Sequence, residues 1–109
     1  MTEWGSEIDV HTLGDARSNG VAHTLLDVRE EDEVAVCSIA DSLRIPMRQV
    51  PQHLADLPRE HPLIIMCHHG SRSDQVAHFL RSNGFTNVHN LAGGIDAWAQ
   101  IMDPDMARY

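Results

Sequence analysis

Residues 63–73 read LIIMCHHGSRS, and this stretch decides the fold. Leu63 to Met66 is apolar throughout, which is typical of a strand in a parallel sheet that is covered on both faces. Ser73 to Ser82 follows with apolar residues at helical spacing, which predicts a helix. The predicted inner face of that helix consists of Val76, Ala77, Phe79 and Leu80. Cys67 therefore lies between a buried strand and a helix.

The rest of the chain alternates between strand and helix patterns in the same way. Further strands are predicted at 8–10, 21–28, 38–45 and around Val88. Further helices are predicted at 12–17, 30–36, 47–57 and 95–101, the last with Trp98 and Ile101 facing inward. This alternation predicts an α/β fold that is built from βα units around a parallel sheet.

The composition fits one ordinary globular domain over residues 1–109. Hydrophobic residues make up 42% of the chain and charged residues 22%. The net charge is −8, and the eight basic residues are scattered arginines. A chain with this balance lacks the basic face that a nucleic-acid or anionic-membrane partner normally requires.

The two cysteines, Cys37 and Cys67, are too few for a secreted disulfide scaffold. The first residues, MTEWGSEIDV, lack the basic and apolar regions of a signal peptide. No apolar run approaches the roughly 20 residues of a membrane span. We therefore expect a cytoplasmic protein with free thiols, in which Cys37 has no catalytic role.

The six residues from Cys67 to Arg72 carry the predicted chemistry. Ligands of α/β sheets bind at the carboxyl ends of strands, where this loop lies. Backbone N–H groups and the positive end of the next helix would lower the pKa of a cysteine there. Gly70 permits a positive φ. The hydroxyl groups of Ser71 and Ser73 can donate hydrogen bonds. The guanidinium of Arg72 can bind an anion through two parallel hydrogen bonds of its own. The loop thus favours a nucleophilic cysteine that attacks an anionic electrophile.

Metal binding and phosphate chemistry are the alternatives for this loop. His68 and His69 lack an accompanying Cys-x-x-Cys or His-Glu-x-x-His spacing, so no metal site is predicted, and we expect both to line the pocket rim. Cysteine phosphatases have five residues between cysteine and arginine, whereas four separate Cys67 from Arg72. The shorter loop has a smaller pocket, which favours a sulfur atom on Cys67 over a bound phosphate.

Three stretches resemble the single-domain rhodaneses, a family of sulfurtransferases. They are LLDVRE at 25–30, MCHHGSRS at 66–73 and NLAGGIDAW at 90–98, and the resemblance covers a core at about 5–101. The short tail at 102–109 ends in DPDMARY, which resembles the ends of rhodanese domains fused to the adenylating enzymes of molybdopterin and thiamine synthesis.

The resemblance implies a central parallel sheet of about five strands with helices on both faces. It implies that Cys67 takes the outer sulfur of thiosulfate or another sulfane donor, such as polysulfide, as a persulfide, and that a thiol or cyanide then accepts this sulfur. Backbone N–H groups of residues 68–72 would stabilise the persulfide. His68, His69 and Ser71 would set the donor preference, and no metal or organic cofactor is implied.

Four residues are expected to support the loop. Asp27 and Arg29 would pair at a strand end, and Gly93-Gly94 would let a turn pass close to the loop. The acidic run Glu30 to Glu33 is interpreted as a solvated helix start. The stretch 37–42 departs from the usual family pattern, of which only Ile39 and the following Ile45-Pro46 match.

Two alternative functions stay open. The chain could be a sulfur-carrier or docking module that passes persulfide to a partner protein in a sulfur relay. It could also be a small cysteine phosphatase or arsenate reductase, against which the loop length argues.

Overall fold

The computed structural model describes residues 4–109, so residues 1–3 of the predicted domain lie outside the described part of the chain. The strands are β1 (Glu7–Ile8), β2 (Thr24–Asp27), β3 (Ser42–Arg44), β4 (Leu63–Met66) and β5 (Val88–Leu91). The helices are α1 (Val10–Ser18), α2 (Glu31–Val36), a 3-10 segment (Met47–Asp56), α3 (Ser71–Ser82) and α4 (Gly94–Ile101). The predicted alternation of strands and helices is confirmed.

All strands are parallel and form one five-stranded sheet in the order β1-β5-β4-β2-β3. The central strand is β4, in which Met66 lies opposite Asp27 of β2 and Ile65 lies opposite Asn90 of β5. All of β4 is buried, as its uninterrupted apolar sequence predicts. Cys67, which follows β4, therefore lies at the carboxyl end of the central strand of the sheet.

Helices cover both faces of this sheet. Alternate residues of a strand point to opposite faces, so the apolar residues of β2 and β4 divide between two clusters. The first cluster includes Leu26, Ile65 and Cys67, packed with Val76 and Leu80 of α3 and Val50 of the 3-10 segment. The second includes Leu25, Ile64 and Met66, packed with Leu13 of α1 and Ile95 of α4. Among residues 4–109, no helix has both the length and the apolar character needed to cross a membrane.

Two residues predicted to face inward are exposed. Phe79 is 36% exposed and Ile101 is 51% exposed. Phe79 lies about 110° around α3 from the middle of its buried face, and Ile101 lies about 200° around α4 from buried Ala99. A prediction from apolar character alone therefore made the buried faces of α3 and α4 wider than they are. Trp98 is partly buried and packs against the second cluster.

The segment Met47–Asp56 is a 3-10 helix rather than the predicted α-helix. Pro51 lies inside it, and a proline supplies no backbone N–H for an α-helical hydrogen bond. The backbone also departs from helical geometry at His53, where φ is −117°. This segment still contributes Val50 to the core.

Several strands are shorter than predicted. The strand predicted at 8–10 ends at Ile8 because Asp9 begins α1, where its carboxylate accepts the backbone N–H of Thr12 at 2.9 Å. The strand predicted at 38–45 covers only Ser42–Arg44, since the chain turns at Asp41 with a φ of 62°. These corrections affect only the ends of the elements.

Candidate active site

Cys67 directly follows β4 and has 1% of its surface exposed. The loop after it is shorter than the six residues predicted, because α3 already begins at Ser71. Gly70 makes this early start possible: its φ is 115°, and its carbonyl oxygen accepts the backbone N–H of Asp74. Ser71 and Arg72 consequently lie in the first turn of α3 instead of in the loop, and Ser73, the predicted first residue of the helix, is its third.

Hydrogen-bond donors converge on the sulfur of Cys67. The backbone N–H of Gly70 lies 3.1 Å from Sγ, and the hydroxyl of Ser73 lies 3.4 Å from it. Burial raises the pKa of the Cys67 thiol, but the hydroxyl of Ser73 and the backbone N–H groups of Ser73, Gly70 and Arg72 lower it by more. The net effect is a pKa below that of an ordinary cysteine, which favours the nucleophilic thiolate.

Asn90 ties this donor set to the sheet, and the sequence did not single it out. Its Oδ1 lies 2.5 Å from the fully buried Ser73 hydroxyl, and its Nδ2 donates to the carbonyl oxygen of Gly70 at 3.2 Å. Ser73 has one hydroxyl proton, so Asn90 Oδ1 and Cys67 Sγ share a single donor. The only sequence signal was its place at the start of the matched stretch 90–98.

Arg72, predicted as an anion clamp, holds the carboxylate of Glu33. Its Nη1 and Nη2 lie 2.6 and 2.7 Å from Oε1 and Oε2 of Glu33. The Arg72 guanidinium outweighs burial and holds the pKa of Glu33 at about 2. The interpretation of Glu30 to Glu33 as a solvated helix start is therefore wrong for Glu33.

Tyr109 packs against the same network, and nothing in the sequence predicted this contact. Its hydroxyl donates to Glu33 Oε2 at 2.9 Å and accepts from Arg29 Nη1 at 3.0 Å. Its ring stacks on His68, with centroids 4.0 Å apart and planes 14° apart. The resemblance of the tail at 102–109 to fused rhodanese domains drew attention to the tail, but it did not indicate where the tail lies in the fold.

Asp27 and Arg29 form a buried ion pair, with 0% of either side chain exposed. Arg29 Nη2 lies 2.7 Å from Asp27 Oδ2 and donates also to the carbonyl oxygen of Cys37 at 2.8 Å. The pair lies at the carboxyl end of β2, next to β4. Cys37 belongs to the core cluster on the sheet face opposite Cys67, so the fold keeps the two thiols apart.

Gly93 and Gly94 bring the start of α4 against the loop. The backbone N–H of Ile95 donates to the carbonyl oxygen of Cys67, and that of Asp96 donates to His68, both at 3.0 Å. Gly94 has a φ of 57°, and a Cβ there would collide with the carbonyl oxygens of both Cys67 and His68. Gly94 thus provides close packing between backbones, whereas a Cβ at Gly93 would collide with the side chain of Ala97 within α4.

His68, His69 and Asp96 form the one group of potential metal ligands found within residues 4–109, with donor atoms inside 4.8 Å of one another. The Asp96 oxygens already accept hydrogen bonds from Arg108 and Gln100. His69 Nε2 lies 3.6 Å from Asp96 Oδ2, at the exposed rim of the loop. Burial, followed by the charge of His69, lowers the pKa of His68, which favours the neutral form of this imidazole.

A shallow depression of about 250 Å³ adjoins the loop and is lined by Glu7, His69, Gly70, Ser71, Asn90 and Gly93, among others. A larger one, of about 770 Å³, lies at the opposite end of the sheet beside Pro62 and Asn87, which precede β4 and β5. The larger depression is remote from Cys67. The smaller depression is the one next to the loop, through His69, Gly70 and Ser71.

Comparison with known proteins gives a consistent result. A family model described as Rhodanese-like domain matches residues 9–101. A sulfurtransferase of Allochromatium vinosum is 35% identical over 87% of this chain and 89% of its own length. The thiosulfate sulfurtransferase GlpE of Actinobacillus pleuropneumoniae is 33% identical over 90% of both chains. A rhodanese-related protein from Thermoplasma volcanium has a TM-score of 0.76 and 33% identity, over 88% of this chain and 92% of that one.

Proposed function

The chain belongs to the rhodanese-like domain family of sulfurtransferases, and from this premise we propose that it transfers a sulfane sulfur through a persulfide on Cys67. The donor is thiosulfate or a related sulfane compound, and the acceptor is a thiol, or cyanide in an assay. The observation that carries the proposal is the set of donors around Cys67 Sγ, of which the Gly70 N–H at 3.1 Å is the nearest. A thiolate that is stabilised in this way is a ready nucleophile at neutral pH.

In the first step, an electron pair of the Cys67 thiolate forms a bond to the outer sulfur of thiosulfate. The bond between the two sulfur atoms of thiosulfate breaks, and its electron pair leaves with sulfite. Cys67 then carries a persulfide, and no external oxidant is consumed. The N–H groups of Gly70, Arg72 and Ser73 stabilise the negative sulfur, in the manner of an oxyanion hole.

In the second step, an acceptor thiolate attacks the outer sulfur of the persulfide. The acceptor becomes a persulfide, and the electron pair of the broken bond returns to Cys67 as a thiolate. Cys67 and Cys37 are both free thiols, so this chemistry suits a reducing compartment such as the cytoplasm.

Intact mass after incubation with thiosulfate tests the proposal. We expect the wild type and Cys37→Ser to gain one sulfur atom, and Cys67→Ser to gain none. Cyanide should then remove the added sulfur as thiocyanate. Absence of the mass gain with thiosulfate, polysulfide and a persulfide donor would exclude a Cys67 persulfide.

A second candidate function is sulfur relay, in which a protein persulfide is the donor. The contact of Tyr109 with His68 favours it, because the tail that resembles fused rhodanese domains lies directly against the loop. Loading by a cysteine desulfurase that exceeds loading by thiosulfate would favour relay over thiosulfate transfer. Hydrolysis of an aryl phosphate or reduction of arsenate faster than sulfur transfer would instead support the phosphatase class.

A further inference from the structure

The guanidinium of Arg72 is already paired with an anion inside the chain. Both of its terminal nitrogens contact the Glu33 carboxylate, at 2.6 and 2.7 Å, in the two-bond geometry with which arginine recognises planar anions. A sulfonate that approaches Arg72 meets a cation whose charge is balanced. We propose, building on the proposed function, that Glu33 is a specificity-determining residue that competes with the sulfonate of thiosulfate for Arg72. The site therefore favours sulfane donors without a sulfonate, such as polysulfides and persulfides.

Glu33 is held in this position by donors other than Arg72. Its Oε1 accepts the backbone N–H of Glu30 at 3.1 Å, within the capping box of α2, and its Oε2 accepts the Tyr109 hydroxyl at 2.9 Å. Each carboxylate oxygen thus has two donors. The Glu33 side chain is 18% exposed and that of Arg72 is 30% exposed, so water and salt screen this pair less than a fully exposed one.

Tyr109 connects the pair to the rigid part of the fold. Arg29 donates to its hydroxyl at 3.0 Å, and Arg29 is itself fixed by the buried carboxylate of Asp27. The stack of Tyr109 on His68 holds the ring from the loop side. A rotation of Glu33 away from Arg72 would break its hydrogen bonds to Tyr109 and Glu30, so release of Arg72 costs more than one surface ion pair.

The two classes of donor differ in what they require from Arg72. Thiosulfate carries its transferable sulfur on a sulfonate, and this group must bind next to the Glu33 carboxylate or displace it. Polysulfide has no sulfonate, and its sulfur atoms need only the N–H groups that surround Cys67 Sγ. The Glu33–Arg72 pair therefore penalises thiosulfate and leaves polysulfide largely unaffected.

Single-turnover sulfur loading of Cys67, followed by intact mass, tests this inference. For Glu33→Gln, which keeps the side-chain size and removes the charge, we expect the ratio of thiosulfate to polysulfide loading rates to rise about tenfold. Glu31→Gln changes an exposed carboxylate of the same helix and should leave the ratio unchanged. Tyr109→Phe should raise the ratio less than Glu33→Gln. In an Arg72→Ala background, Glu33→Gln should raise the ratio less than in the wild type, because there is no longer a guanidinium for the sulfonate to gain.

The outcomes separate this inference from the proposed function. If wild type and Glu33→Gln both load sulfur and the ratio stays the same, Glu33 does not determine specificity, while the persulfide on Cys67 stands. If neither protein gains sulfur from any donor, both proposals fall. Tyr109→Phe carries the test if Glu33→Gln does not fold, and an unchanged ratio in that variant overturns the inference too.

Discussion

The backbone N–H of Ile95 donates a hydrogen bond to the carbonyl oxygen of Cys67 at 3.0 Å. This bond joins the first turn of α4 to the residue that carries the proposed chemistry. It requires two backbones to come into contact, and Gly94 is the residue that permits the approach. The position of Cys67 thus depends on a residue far along the chain that offers no side chain at all.

Gly94→Ala should destabilise the fold and displace the loop. The new Cβ would collide with backbone oxygens of Cys67 and His68, neither of which can rotate away. Gly20→Ala is the matched control, since Gly20 also has a positive φ of 67° but meets no atom within 4 Å. Urea unfolding should show a loss of about 1 kcal/mol for Gly20→Ala. The loss for Gly94→Ala should exceed this by at least about 2 kcal/mol, and equal losses would contradict the collision.

The thiol of Cys67 should titrate at a lower pH than an ordinary cysteine. In a Cys37→Ser background the ultraviolet absorbance of the thiolate reports Cys67 alone, and we expect a midpoint below the usual value of about 8.5. The physical reason is that hydrogen bonds to the sulfur outweigh its burial. A midpoint at or above the usual value would show that burial prevails.

Ser73→Ala should raise the pKa of Cys67. The hydroxyl of Ser73 lies 3.4 Å from Sγ and is the foremost of the contacts that lower this pKa. Ser71→Ala changes an exposed hydroxyl two residues earlier and serves as the control, which should titrate like the wild type. The thiolate absorbance gives the pKa of Cys67 in the wild type and in both variants. A shift of equal size in the two variants would show that the Ser73 hydroxyl does not specifically lower this pKa.

Asp27→Asn should cost about 3 kcal/mol of unfolding free energy, because it leaves the buried guanidinium of Arg29 without its counter-charge. Asp74→Asn breaks an exposed contact with His78 and should change the stability far less. Urea unfolding at pH 7 compares the variants. A small loss for Asp27→Asn would mean that Arg29 is stabilised mainly by its bonds to Cys37 and Tyr109.

The contribution of the Glu33–Arg72 pair to stability should depend on pH in a defined direction. The pKa of Glu33 is lowered from 4.5 to about 2, so the folded state holds the ionised form more strongly than the unfolded state does. The stabilisation is therefore complete above a pH of about 4.5 and is lost as the pH falls towards about 2. The difference in unfolding free energy between wild type and Glu33→Gln should be constant at neutral pH and shrink in this acidic range. A difference that grows on acidification would contradict this sign.

The sequence predicted those features that depend on local composition. The run LIIM predicted a buried strand, and the bounds Leu63–Met66 are confirmed. Helix limits were less certain, because the start of α3 at Ser71 depends on the positive φ of Gly70 and not on a residue pattern. Phe79 and Ile101 were placed inward because they are apolar, although the angle around the helix decides which side chains meet the sheet.

The contacts around the candidate site were harder to predict. Glu33 and Tyr109 are separated by 76 positions in the chain and meet only because the tail folds back over α2. Glu33 is one of four consecutive acidic residues at the start of a helix. Nothing in the sequence shows that its side chain pairs with Arg72 while its neighbours are solvated. Such pairs follow from the tertiary fold, and so local periodicity cannot reveal them.

The central place of β4 has a kinetic consequence. Its two neighbours, β2 and β5, are parallel to it and distant in sequence, and this gives the fold a high contact order. The groups that lower the pKa of Cys67 depend on Asn90 of β5 and on the docking of α4, which reach the loop only through tertiary contacts. During refolding, the thiolate signal should therefore appear later than helical structure. Uptake of sulfur is thereby confined to molecules that have finished folding.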